Sequence, residues 1–354
     1  MKRLKNILVV ALLLISANLA AQTLGDFKPK DTSYGLGKLK GKADKIYVSA
    51  FNVVYQIYNE KQDFKQGGAV FGGGYKGDAL AEASIGLDGL TDKDVQKITD
   101  QLYADFVAQL KGKGLTLLMA DDAAKTETYN EYVRMKGGTV SLAQYPGTMT
   151  TAPTGYEYFV KKVDKSGKTK GGGFLNQTAT LYPKLSKELD DAIIAEVNLF
   201  VLFVEDKNAF RGNGANIKIA TNLRLAGGTE AIEMTSDAKV KLKGQNTIAV
   251  VSSAVTFAHG KIGLGATTSY TGNLGKSLTI DGVIEDTKVQ SFANRSADIL
   301  GTKTIYGTFF TPENRSSTTS KVVAVDADKY YAGVYSAAKK FMDHHTQEFL
   351  GSFK

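Results

Sequence analysis

The sequence predicts an α+β fold with a mixed or antiparallel sheet, packed amphipathic helices and a helix at the carboxyl terminus. Three observations predict it. Runs rich in β-branched and aromatic residues recur along the chain, as is typical of strands. Two long segments, at 91–110 and 326–349, carry apolar residues at helical spacing. Strands and helices alternate in the first half and strands alone follow from 215 to 284, which favours an α+β organisation.

Residues 1–21 have the pattern of a cleavable secretory signal peptide. A basic head around Arg3 precedes an apolar run at 7–15, and small residues lead to Ala21. This run is about half of the roughly 20 apolar residues that a bilayer-spanning helix needs. We therefore expect cleavage before Gln22 and an exported mature chain that is periplasmic, outer-membrane-associated or secreted.

The mature chain divides into three predicted regions. Residues 22–43 are polar and rich in glycine, and we expect an extended lead-in. Residues 44–206 are expected to form an α+β domain. Residues 207–354 are expected to form a strand-rich region with the C-terminal helix, either as a second unit or as part of the same domain.

The predicted elements of residues 44–120 are two strands, a helix and a third strand. Strands are expected at 45–57 and 80–87, with a glycine-dense turn region at 67–78 between them. Thr91 is a candidate N-cap, with Asp92 and Asp94 in the first helical turn. A short buried strand is expected at 115–120.

From residue 121 to 206 the pattern is less regular. Asp121 and Asp122 are expected to cap a further helix through about Met135. Residues 137–180 are expected to be strand fragments and long loops, followed by a short helix near 183–189. The run at 193–204 is the most apolar of the mature chain and indicates a central strand of the sheet.

The last region is predicted to be almost entirely strand before its terminal helix. Lysine and apolar residues alternate strictly over 239–243, which predicts a strand with one solvent-exposed face. Residues 247–257 and 261–270 are expected to pair through a turn at 258–260. A strand at 321–325 leads into the final helix, whose apolar stripe is wide enough to dock on the domain.

Composition excludes several classes of chemistry. The chain has 354 residues and no cysteine, which excludes disulfides, a cysteine nucleophile and a lipid-bearing cysteine. The net charge is +8, but the lysines are spread along the chain. The densest basic run, at 161–170, is typical of a solvated loop. We therefore expect no specific nucleic-acid partner and at most peripheral membrane contact.

The three histidines do not indicate a catalytic or metal site. His259 is expected in a turn with no recognisable serine site near it, and Gly-x-Ser-x-Gly is absent from the sequence. His344 and His345 are adjacent, so on a helix their side chains point about 100° apart and do not converge on one metal ion.

Glycine-rich and acidic segments have ordinary structural interpretations. The glycines at 67–77 are not followed directly by a helix, as a nucleotide-binding loop requires. The adjacent pairs at 121–122 and 190–191 are typical of helix caps. The sequence thus indicates no catalytic, cofactor-binding or metal-binding residue.

Residues 45–204 resemble the periplasmic domain of CsgG-like curli-secretion-channel and TolB N-terminal-like envelope proteins. The resemblance lies in the opening strand at 46–51, the helix at 91–110, the turn at 111–115 into the strand at 117–120, and the apolar strand at 193–204. It implies an envelope location. The lipidated cysteine of the family is missing here, so the resemblance does not extend to a membrane-tethered channel, and no functional residue is carried over.

These observations favour an exported, non-enzymatic cell-envelope or secreted protein. It would bind envelope proteins or a second copy of itself through sheet edges and the aromatic face of the final helix. One alternative is an extracellular or periplasmic hydrolase that uses carboxylates. Another is a pore-forming or secretion-channel-like assembly component that inserts strands from 215–284 into a membrane.

Overall fold

The structure is a computed structural model. It describes residues 23–39, 43–69, 75–171, 180–207, 214–234, 247–294, 297–298, 302–309 and 313–352. The predicted signal peptide and the predicted strand at 239–243 lie outside the described residues.

The described residues form 25 strands and four α-helices. The strands, in chain order, are β1 Thr23–Leu24, β2 Pro29–Tyr34, β3 Lys45–Gln56, β4 Tyr58–Lys65, β5 Gly68–Ala69, β6 Tyr75–Lys76, β7 Ala79–Asp88, β8 Thr116–Leu118, β9 Val133–Lys136, β10 Thr148–Thr151, β11 Glu157–Val160, β12 Lys162–Val163, β13 Thr169–Lys170, β14 Ile193–Asp206, β15 Ala215–Leu225, β16 Glu230–Met234, β17 Thr247–Val251, β18 Ala254–His259, β19 Thr268–Leu274, β20 Leu278–Asp281, β21 Lys288–Ala293, β22 Ala297–Asp298, β23 Thr302–Thr304, β24 Gly307–Phe309 and β25 Arg315–Ala324. The helices are α1 Asp92–Gly112, α2 Ala120–Ala123, α3 Leu181–Glu188 and α4 Ala327–Gly351. The chain is therefore strand-rich α+β with a C-terminal helix, as the sequence predicts.

The apolar run at 193–204 forms β14, the central strand of an 11-stranded sheet. β3 runs parallel to β14 along one side. Along the other side, β18 pairs with the first half of β14 and β15 with the second half, both antiparallel. Because β14 is covered on both faces, its sequence is almost continuously apolar rather than alternating.

The predicted lead-in at 22–43 contributes strands to this sheet. β1 pairs with β20, and β2 pairs with β19 at the edge of the sheet. All six residues of β2 are exposed. Among the described residues of this segment, β1 and β2 are extended and pair with the main sheet, whereas Leu36–Lys38 form a single 3-10 turn.

Helices α1 and α4 cover one face of the sheet. α1 begins at a capping box, in which the backbone N–H and the hydroxyl of Thr91 donate to Asp94. The apolar residues at helical spacing in α1 are all buried: Val95, Ile98, Leu102, Phe106 and Leu110. On α4, Phe349 stacks on Phe257 of β18 with ring centroids 3.9 Å apart. The amphipathic patterns of both helices therefore mark the faces that bury the core.

The opposite face of the sheet carries two smaller apolar clusters. α2, α3 and part of β11 cover one end, where Tyr129, Phe159 and Tyr182 are buried. The β16–β17 hairpin covers the other end, where Phe200 and Leu202 are buried. Between the clusters, the face is polar.

A three-stranded sheet of β4, β7 and β25 packs beside β15 and β21. The inward residues of β7 include Ala79, Ala81 and Ala83, all fully or almost fully buried. β25 runs parallel to β7 with an unbroken register from Arg315 to Ala324. The small side chains let this sheet approach the main one closely.

Two local predictions are wrong, and a third is right only in part. The short strand predicted at 115–120 is present as β8, but it has three residues, is only partly buried, and is followed by α2 from Ala120. The predicted helix from 121 to Met135 ends after one turn, because its aromatic residues join the cluster under α3 and Val133 starts β9. The expected tight turn at 258–260 is an eight-residue loop, and β17 pairs with β16 instead of continuing into β18.

The segments 44–206 and 207–354 share one apolar core. A single buried cluster includes Phe51 of β3, Phe106 of α1, Phe257 of β18 and Phe341 of α4. Side chains from both segments thus pack in the same cluster.

Candidate functional site

His345 is a buried structural residue that joins α4 to the sheet. Its Nδ1 accepts a hydrogen bond from the Tyr270 hydroxyl at 2.8 Å, and its Nε2 donates to the Asn273 carbonyl at 3.0 Å. Burial, opposed by the Asn273 hydrogen bond, lowers the pKa of His345 to about 4. His344 packs edge-on against Phe27 instead. The two imidazoles meet edge to face with ring centroids 4.9 Å apart, and both nitrogens of His345 are engaged by Tyr270 and Asn273.

His259 ends β18 and is 7% exposed, so it lies at the end of a strand rather than in the predicted turn. In the portion of the chain that the structure describes, no group of three or more histidine, aspartate or glutamate residues is placed to hold a metal ion.

The adjacent acidic pairs have structural roles at the surface. Asp121 pairs with Arg134 at 2.7 Å, and Asp122 accepts from the Met119 N–H as the cap of α2. Asp190 and Asp191 both have positive φ, at 55° and 57°, in the turn between α3 and β14. They pair with Lys45 and Lys187, each at 3.4 Å. Only Asp122 fulfils the predicted capping role.

The predicted basic loop at 161–170 forms a small hairpin of β12 and β13. Its turn is organised by Asp164, whose carboxylate accepts from Ser166 and from the Lys168 N–H. These hydrogen bonds lower the pKa of Asp164. The lysines of this run flank a locally stabilised turn.

Glu196 is a buried carboxyl that sequence reasoning missed. It lies in the polar strip between the two apolar clusters and is 7% exposed. Tyr182 donates to its Oε2 at 2.7 Å and Asn198 donates to its Oε1 at 2.6 Å. Asn52 of β3 then donates to the Asn198 Oδ1 at 3.0 Å. The polar residues at every second position of β14 were the available signal, but they stood within an apolar run.

Burial raises the pKa of Glu196 to about 7, although the hydrogen bonds from Tyr182 and Asn198 oppose the shift. The carboxyl therefore titrates near neutral pH. Among the described residues, it is the one carboxyl in the buried set, so the structure places no second buried carboxyl opposite it.

The outer strand of the small sheet is the most extended exposed edge. β25 has ten residues, seven of which are exposed, and pairs only with β7 among the described strands. Its central residues, from Ser316 to Ser320, carry neither charge nor proline. The Thr318 side chain donates to Glu82 of β7, and Ser84 of β7 donates to the Ser320 side chain. These two hydrogen bonds join β25 to β7.

The edge of the main sheet lies beside β25. Ser291 of β21 donates to the Ser317 carbonyl at 2.7 Å, and Phe292 of β21 is 50% exposed. We call the exposed residues of β21 and β25 the lateral edge. Long regular edges without proline or inward charge are templates for pairing with a further strand.

β2, at another sheet edge, has the opposite character. It begins with Pro29, Lys30 and Asp31, and its residues are exposed. A proline removes a backbone donor, and charged side chains disfavour the approach of another sheet. β2 is therefore protected against strand addition, whereas the segment of β25 from Ser316 to Ser320, between Arg315 and Lys321, carries no such protection.

The aromatic face of the final helix is mostly buried. Tyr330, Phe341 and Phe349 on α4 are 0%, 0% and 1% exposed, because they pack in the core. Tyr331 and Tyr335 stack on each other at 5.6 Å and are half-buried. Most of the aromatic residues that the sequence assigned to a contact face are therefore packed in the core, and the exposed sheet edges are the stronger candidates for a contact.

Comparisons with protein-family models, with curated proteins and with solved structures find no match to this chain. In the part of the chain that the structure describes, every helix is too short or too polar to span a bilayer.

Proposed function

We propose that the mature chain is an exported, non-enzymatic cell-envelope or secreted protein that acts by protein–protein interaction or self-assembly, with β25 as its contact strand. The observation that carries this proposal is the ten-residue exposed edge of β25. The export pattern at residues 1–21 and the resemblance to envelope domains support the location.

Strand addition explains the chemistry of this edge. The Ser317 carbonyl is already bound by Ser291 of β21. An incoming strand would pair with outward backbone groups of β25 that have no such partner, and each main-chain hydrogen bond contributes about 1 kcal/mol net. Serine and threonine side chains at the edge impose little steric restriction on the partner. Phe292 on the adjoining β21 adds apolar area at the rim of the contact.

The two alternatives lack a comparable observation. A carboxylate hydrolase needs two carboxyls converging across a cleft. Asp121 and Glu157 line the same pocket, but both are ion-paired with the single guanidinium of Arg134, and the pair at 190–191 is engaged in surface ion pairs. A pore formed by strands from 215–284 would have to extract β15 and β18 from the core, where Ile219 and Phe257 are fully buried.

The test replaces Thr318 and Ser320 together by lysine. Lysine at 318 would lie beside Glu82, so the fold is expected to tolerate it, while the added charges oppose a further strand. We expect the double variant to lose at least tenfold in the self-association of the mature chain measured by light scattering, or in the yield of the envelope protein that the wild type co-purifies.

The control is Thr32→Lys on the protected edge β2, which should behave like the wild type. Equal thermal unfolding of the three proteins would verify that all are folded. The proposal fails if the wild type is a monomer that retains no envelope protein, or if the double variant associates as well as the wild type.

A further inference from the structure

A gap in the main sheet creates a pocket that the proposed function does not use. β8 pairs with β3 over Lys45–Tyr47, and β10 pairs with β3 farther along, over Val53–Gln56. Between these two pairings, no described strand is hydrogen-bonded to β3 on that side. Tyr156 enters this interval, and its hydroxyl donates to the Val48 carbonyl at 2.9 Å. A pocket of about 310 Å³ lies next to it, between α1, β8 and the chain that leads into β11.

One wall of the pocket is aromatic and rigid. Tyr103 of α1 is half-buried, with its ring centroid 5.3 Å from those of Tyr156 and Phe51. Tyr158 stacks on Tyr156 with ring centroids 5.8 Å apart. These contacts fix the Tyr103 ring, so it can present apolar surface to a ligand without ordering a mobile side chain.

The rim of the pocket is polar and is joined by ion pairs. Arg134 of β9 donates to Asp121 at 2.7 Å and also to Glu157 of β11. The pairing of β9 with β11 sets the positions of Arg134 and Glu157. The three side chains are 37%, 78% and 34% exposed respectively, so each can still reach a ligand. The rim therefore offers donors and acceptors side by side.

This combination selects against charged and purely apolar ligands. Two carboxylates share one guanidinium, so the rim carries a net negative charge and repels an anion. A cation would have to break the ion pairs of Arg134 before it could bind the carboxylates. An apolar ligand would strip water from the three charged groups without replacing its hydrogen bonds. A neutral molecule with one apolar face and several hydroxyl groups satisfies both the aromatic wall and the polar rim.

We propose that the pocket between Tyr103 and the Asp121–Arg134–Glu157 rim binds a neutral saccharide unit. The C–H face of the sugar ring stacks on Tyr103, and its hydroxyls bind the carboxylates and the guanidinium. The pocket volume is at the lower end of the range for small-molecule sites, which suits one or two sugar residues.

The test titrates the mature chain with cellotriose and with N,N′,N″-triacetylchitotriose, which are both neutral, and with trigalacturonate as the anionic comparison. Binding is measured by calorimetry and by ligand-observed NMR. We expect saturable binding of at least one neutral trisaccharide and none of trigalacturonate. Tyr103→Ala and Arg134→Met should each weaken the binding at least tenfold. Tyr103→Phe keeps the aromatic face and should stay within twofold of the wild type.

Gln101→Ala is the matched control, because Gln101 lies on the exposed face of α1 and hydrogen-bonds Asp105. If Tyr103→Ala fails to fold, Arg134→Met still decides the matter, because its side chain is at the surface. The proposal is overturned if neither neutral trisaccharide binds saturably, or if both variants bind as well as the wild type. Neither result depends on whether β25 binds a partner.

Discussion

At the scale of single residues, Glu196 is the position where the fold most alters side-chain chemistry. Its carboxyl is buried in the central strand, and its pKa is raised from 4.5 to about 7. The folded state therefore holds the proton more tightly than the unfolded chain does. The stabilisation is fully present below pH 4.5 and is lost as the pH rises through about 7.

Replacing Glu196 by glutamine should remove this pH dependence. Glutamine cannot ionise, so the variant does not lose stability through this position as the pH rises. Between about pH 4.5 and pH 8, the unfolding free energy of the wild type should therefore fall by about 3 kcal/mol relative to that of the variant. Urea unfolding of both proteins across this range measures the difference, and because His345 titrates equally in both, its contribution cancels.

The control for this experiment is Glu131→Gln at an exposed position, which should follow the wild type at every pH. A constant difference between Glu196→Gln and the wild type across the range would show that Glu196 is ionised in the same way in the folded and unfolded chains.

At the scale of elements, the close packing of α4 against β19 depends on one glycine. A methyl group at Gly272 would lie 2.2 Å from the His345 Cγ, closer than side chains approach in folded proteins. Gly272 therefore allows His345 to reach Tyr270 and Asn273, and the helix to lie close to the sheet.

We expect Gly272→Ala to lower the unfolding free energy by about 3 kcal/mol, since the added methyl must displace His345 or the helix. Urea unfolding measures the effect. Gly112→Ala at the end of α1 is the matched control: nothing lies within 4 Å of its added methyl, and alanine should stabilise the helix by about 0.5 kcal/mol. If Gly272→Ala lowers the unfolding free energy by less than about 0.5 kcal/mol, the close packing of α4 against β19 is contradicted.

The elements with strong periodicity were predictable, and those that depend on distant partners were not. α1 has its N-cap at Thr91 and buries its apolar residues as its sequence pattern predicts. By contrast, the predicted helix after Asp121 stops at Ala123. Tyr129 there stacks on Phe159 of β11 at 4.4 Å, and contacts of this kind have no signature in the local sequence.

At the scale of the whole molecule, the described residues share one large apolar core that crosses the predicted boundary at 206–207. Phe257 of β18 lies between Phe106 of α1 and Phe349 of α4, at ring-centroid distances of 6.2 and 3.9 Å. Disruption at this position removes packing from both segments at once.

Unfolding should therefore be cooperative across the chain. We expect urea transitions followed by far-UV and by near-UV circular dichroism to coincide. Phe257→Ala should lower both midpoints together, at a cost of about 4 kcal/mol. Val250→Ala, at a residue that is 69% exposed, is the control and should change little. Two separate transitions, or a shift in only one probe, would contradict a single cooperative core.

The candidate surfaces were less predictable than the fold. The sequence directed attention to histidines and adjacent acidic pairs, which serve as caps, ion pairs and core hydrogen bonds. The rim of Asp121, Arg134 and Glu157 joins residues from three elements, and the exposure of β25 depends on which strands lie beside it. Neither arrangement has a fixed spacing along the chain.

The sequence by itself determined the α+β class, the central strand at 193–204, the two amphipathic helices and the absence of cysteine chemistry, because these follow from local composition and periodicity. Only the tertiary structure decided that β25 has an exposed edge, that the final helix buries its aromatic face, and that Glu196 is buried with a raised pKa. Those properties arise from burial and from contacts between residues far apart in the chain, which local periodicity does not encode.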